Sequence, residues 1–73
     1  MRQLKEEWAA EVVGKLYRFN MTHKDFAKEC GYTAGYLSMV LNGKKKFGSP
    51  YSERMTRKHI LNTMARIEDE ILG

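Results

Sequence analysis

The sequence predicts an all-α fold, and three observations predict it. Apolar residues recur at spacings of three and four in both the first and the last segment of the chain, the mark of amphipathic helices. Between those segments Thr22 and Thr33 stand as helix-capping residues, each followed by a glycine stop, Gly31 and Gly43. The composition, 42% hydrophobic and 30% charged with a single proline, is that of a folded helical domain and not of a disordered tail. At 73 residues the chain has room for one domain, 1–73, with a small core.

Helix 1 is predicted over residues 2–19, where Leu4, Trp8, Val12, Val13, Leu16 and Phe19 share a face and Asn20 is the stop. Within it Gly14 either permits close packing or simply costs about 1 kcal/mol relative to alanine. Helix 2 starts at Thr22. Thr-His-Lys-Asp reads as a capping box, in which the threonine hydroxyl and the Asp25 carboxylate each accept a free backbone N–H, and Met21 and Phe26 are spaced as a hydrophobic staple. Phe26, Ala27 and Cys30 form its apolar face. Only Tyr32 separates Gly31 from Thr33, the cap of helix 3, whose inward residues are Leu37, Val40 and Leu41 and whose stop is Asn42-Gly43. A basic loop, Lys44 to Ser49, leads to Pro50 at the first position of a long last helix. Its apolar stripe is Met55, Ile60, Met64, Ile67 and Ile71, with His59 beside it.

Several function classes are excluded at this level. No apolar run approaches the roughly 18 residues of a membrane span, and the first ten residues lack the apolar stretch of a secretory signal, so a cytoplasmic protein is expected. The lone Cys30 has no internal disulfide partner and occupies an apolar helix position, which reads as a packed thiol. His23 and His59 make no metal-ligand spacing with it. There is no nucleophile and base pairing, no phosphate-binding glycine loop and no carboxylate pair suited to catalysis. The expectation is therefore a non-enzyme with no metal and no cofactor.

Charge gives the first positive indication. The net charge is +4, but from Lys15 to Lys58 ten Lys/Arg face three Asp/Glu, while the flanks hold three Lys/Arg against six Asp/Glu. A basic centre attracts a polyanion, although a merely solvated surface has the same composition.

Helix 2, the Gly31 turn and helix 3 have the pattern of a helix-turn-helix spanning residues 22–43. The run MTHKDFAKECGYTAGYLSMVLNGKKK resembles the helix-turn-helix of the Cro and phage-repressor family, the XRE type, through Thr22, Phe26, Ala27, Gly31, Thr33, Leu37, Ser38, Asn42 and Gly43 in ungapped register. The resemblance covers about a third of the chain. It implies a lambda-repressor-like compact bundle of four or five helices with a long C-terminal helix, and a sequence-selective regulator of double-stranded DNA with helix 3 in the major groove. By that analogy Thr33, Ala34, Gly35, Tyr36, Ser38 and Met39 approach base edges, and Thr22, His23, Lys24 and Asn42 approach phosphates.

The side chains themselves refine this expectation. Lys44 and Lys46 follow helix 3 directly, where ammonium groups neutralise phosphates and release counterions, and Lys45 is a further base-reading candidate. The reading face holds no Arg, Gln or Asn for bidentate contacts to guanine or adenine. Hydrogen-bonded readout should be sparse: single bonds from Thr33 and Ser38, thymine-methyl packing by Ala34 and Met39, a phosphate or base edge at Tyr36, and a contribution from DNA shape.

The stripe Ile60, Met64, Ile67 and Ile71 either packs within the chain or meets a second subunit, and a homodimer would read two half-sites about one DNA turn apart. A small Cro-like or repressor protein of a phage or prophage is the leading expectation. A protein-interaction module of the antirepressor kind, or the antitoxin of a toxin-antitoxin pair, is consistent with the same residues and would take a partner regulator protein instead.

Overall fold

The computed structural model describes residues 6–73, and these form four helices: α1 (Glu7–Arg18), α2 (His23–Cys30), α3 (Ala34–Leu41) and α4 (Pro50–Leu72). Among the described residues there is no strand, so the all-α expectation holds. The part of helix 1 expected before Glu6, including Leu4, lies outside the described residues.

Local chemistry sets the helix boundaries. Thr22 Oγ1 accepts the Asp25 N–H at 3.1 Å, Thr33 Oγ1 accepts the Tyr36 N–H at 3.1 Å, and Ser49 Oγ accepts the Ser52 N–H at 3.2 Å. The reciprocal half of the capping box, with the Asp25 carboxylate as acceptor, does not form; Asp25 contributes its charge to the first turn of α2 instead. Three helix ends close in the same way. Asn20 (φ 57°), Gly31 (φ 81°) and Gly43 (φ 70°) are left-handed, and the residue after each bonds back five positions: Met21 N–H to Leu16 O at 2.9 Å, Tyr32 N–H to Ala27 O at 2.8 Å, Lys44 N–H to Met39 O at 2.8 Å. These closures hold the connections short, so α2 and α3 fold as one unit.

All four helices contribute to one core. Val12 and Leu16 of α1, Phe26 of α2, Leu37 and Leu41 of α3, and Ile60 and Met64 of α4 are the large, fully buried side chains. Ion pairs from Lys15 to Glu68 (3.3 Å) and from Arg57 to Glu6 (4.0 Å) lay α1 along α4 in the same direction. On the other side of α4, Arg66 pairs with Glu29 of α2 at 3.7 Å and the His59 Nε2–H donates to the Cys30 carbonyl at 2.9 Å. That last bond satisfies a carbonyl which the end of α2 leaves without a helical partner.

Two alternatives that the sequence leaves open are decided here. Of the stripe on α4, Ile60, Met64 and Ile67 are buried within the chain's own core, whereas Met55 and Ile71 are 45% and 52% exposed. Ile60, Met64 and Ile67 thus take the alternative of packing within the chain, while Ile71 remains exposed. Gly14 meets no atom within 4 Å of where a Cβ would stand, so it serves no close packing.

Candidate nucleic-acid interface

The Gly31 turn sets α3 on the surface with one side in the core and the other in solvent. Leu37, Val40 and Leu41 point inward, while Thr33, Ala34, Gly35 and Met39 are exposed and Ser38 and Tyr36 are half-buried. Each turn of α3 thus contributes small or apolar groups to the exposed face, with Met39, 45% exposed, its one large side chain. Ser38 Oγ accepts from Asn42 Nδ2 at 3.2 Å, which fixes two of the predicted contact residues against each other and leaves the serine proton to donate. Thr22 and Thr33 use an oxygen lone pair as caps, and each hydroxyl still has a proton to give a phosphate. His23, half-buried, opens α2.

The lysines divide into two groups. Exposure alternates from Lys44 to Phe47: Lys44 and Lys46 are exposed, and Lys45 and Phe47 are half-buried. Lys45 Nζ lies 5.7 Å from the centre of the Tyr36 ring and 5.9 Å from that of Phe47, in reach of both π faces. Lys45 is thus half-buried beside Tyr36, whereas Lys44 and Lys46 stand in solvent. Tyr36 also packs at a tilt against Tyr32 (4.8 Å between centroids, 55°), and Tyr32 meets His59 edge-on at 5.5 Å. The row His59, Tyr32, Tyr36, Lys45 therefore braces α3 against α4 and limits Tyr36 to contacts made from a fixed position.

A lysine that the sequence reading did not single out lies beside these residues. Lys28 stands one helical turn after Lys24 on α2, and both line a shallow open concavity with Tyr32, Thr33 and Ala34, at the leading end of α3. The spacing of four between two lysines on the polar face of α2 carried that signal in the sequence.

Ion pairing divides the cations, and among the described residues Arg18, Arg54 and Lys58, away from this face, are without an anionic partner as well. Lys15, Arg57 and Arg66 each hold a carboxylate and stitch the helices together. Among the described residues Lys24, Lys28, Lys44 and Lys46 have no anionic partner, and they flank the exposed side of α3 at both ends.

Elsewhere the groups with chemical potential are held in packing roles. Burial pushes the Cys30 thiol above its ordinary value of 9.0, against the weaker pull of a hydrogen bond with Thr63, so the sulfur stays a neutral thiol. Burial, with a smaller contribution from Tyr36, likewise raises the Tyr32 phenol above 10.0. No group of metal-ligating side chains occurs among the described residues, and no helix in that range is long and apolar enough to cross a membrane. Compared with protein-family models, with curated proteins and with solved structures, the chain finds no match in any of the three.

Proposed function

We propose that this protein is a sequence-selective regulator that binds double-stranded DNA, in the manner of a small Cro-like repressor, with α3 in the major groove. One observation supports the reading above the others: four lysines without anionic partners, Lys24 and Lys28 on α2 and Lys44 and Lys46 after α3, flank the exposed side of an eight-residue helix. A major groove about 12 Å wide admits one helix, and cations on both sides of that helix meet the phosphate chains that border the groove. The absence of bidentate side chains on α3 makes the expected readout apolar: Met39 and Ala34 against thymine methyls, Thr33 and Ser38 supplying single hydrogen bonds. Such a protein works in the cytoplasm, needs neither cofactor nor metal and catalyses nothing.

The same smooth face favours a second reading, a module that docks on another regulator, because Ala34, Gly35 and Met39 form a small apolar surface. Selection from a pool of random duplexes at about 0.15 M salt separates the two, since exposed charges are substantially screened there and nonspecific attraction is weak. The proposal expects enrichment of a short motif rich in A·T steps. A folded protein that enriches no sequence overturns it in favour of the protein-docking reading.

A further inference from the structure

The side of α4 turned away from the core carries a pattern that the DNA reading does not use. Met55, Lys58, Asn62, Ala65, Asp69 and Leu72 are all exposed, and their spacing of three, four, three, four, three sets them in one seam along most of the helix, apolar at both ends and polar between. The buried residues Ile60, Thr63, Met64 and Ile67 lie on the opposite side, so this seam faces solvent along its whole length.

Read from its two ends toward the middle, the seam matches itself. Met55 corresponds to Leu72, both large and apolar with 45% and 72% exposure; Lys58 corresponds to Asp69; Asn62 corresponds to the small Ala65. Lys58 and Asp69 are eleven residues apart, about 16 Å along the axis, too far to pair within one chain. Neither has an ionic partner among the described residues, whereas Glu68 and Glu70 on the same turn are held by Lys15 and Arg66. Asp69 also lies in a last helical turn without a basic residue, where the helix dipole disfavours a carboxylate.

From this we infer that a second copy of the chain docks on α4 in antiparallel orientation about a two-fold axis near the Asn62–Ala65 midpoint. That arrangement sets each Lys58 on the partner's Asp69, covers Met55 with the partner's Leu72, and lets the backbones approach at Ala65. A parallel pairing would oppose lysine to lysine and aspartate to aspartate, and the charge pattern excludes it. A seam of about five helical turns is small beside standard protein interfaces, so the dimer is weak and dissociates in the micromolar range. The inference is carried by α4 alone and does not depend on what α3 binds.

Sedimentation equilibrium without DNA tests it, at about 0.15 M salt and from about 10 to 500 µM protein. The mass of the wild type should rise with concentration from 8.5 kDa toward twice that value. Lys58→Glu and Asp69→Lys, both at exposed positions, should each weaken association at least about tenfold, because every dimer then holds two like-charged contacts. Mixed in equal amounts, the two variants should associate again, since one supplies glutamate at 58 and the other lysine at 69. A wild type that keeps the monomer mass throughout, single variants that associate as the wild type does, or a mixture that stays monomeric would each overturn the antiparallel dimer.

Discussion

Gly31 ends α2 at φ 81°, where a Cβ is strained whatever the surrounding space, while Gly14 lies inside α1 with open space around it. The same substitution therefore has opposite signs at the two positions. Gly31→Ala should lower stability by about 1 to 2 kcal/mol, the cost of a left-handed alanine, and Gly14→Ala should raise it by up to about 1 kcal/mol through helix propensity. Thermal unfolding resolves both, since 1 kcal/mol moves the midpoint of a domain this size by about 4 to 8 °C. At this scale the sequence was highly legible: Thr22, Thr33, Gly31 and Gly43 all act at the helix ends where their chemistry put them. The half-buried position of Lys45 was not legible, for a physical reason. Its side is set by the rings of Tyr36 and Phe47, which a run of three lysines does not reveal.

Between elements, the seam of α2 and α4 is where the polar groups concentrate. Cys30, Thr63, His59 and Tyr32 meet there, with the Thr63 hydroxyl donating to the His59 carbonyl at 2.9 Å. Burial holds both Cys30 and Tyr32 in their neutral forms above the ordinary values of 9.0 and 10.0. A group whose pKa is raised by folding contributes stability that is complete below its unfolded value and is lost as the pH climbs through the folded one. The urea midpoint should thus be flat with respect to these two groups near neutrality and fall above about pH 9, and Cys30→Ala should delay the fall. An alkaline decline unchanged in that variant would show that the thiol is not linked to folding. Periodicity correctly located α4, yet it did not tell which members of the stripe would be covered. Ile60, Met64 and Ile67 lie where α1 and α2 reach, while Met55 and Ile71 lie toward the ends of a helix longer than either neighbour.

Across the whole molecule, charge is sorted by helix. Carboxylates gather toward the last turns of α4 and partly neutralise the cations that join α1, α2 and α4, whereas Lys24, Lys28, Lys44 and Lys46 leave the α2–α3 face with uncompensated positive charge. The excess of lysine and arginine between Lys15 and Lys58 was visible in the sequence; which of those cations had partners was not, because Lys15–Glu68 and Arg57–Glu6 join residues about fifty positions apart. The most direct test of the DNA-binding account is the salt dependence of duplex affinity, measured by fluorescence anisotropy for the wild type and for a variant with Lys24, Lys28, Lys44 and Lys46 all changed to alanine. Each phosphate deprived of its lysine should flatten the slope of log K against log salt by about 0.9, so the variant's slope should be shallower than the wild type's by about three to four, with weaker binding to all sequences. A variant that keeps its helicity, its affinity and its salt slope would contradict the account, because DNA would then lie against some other face.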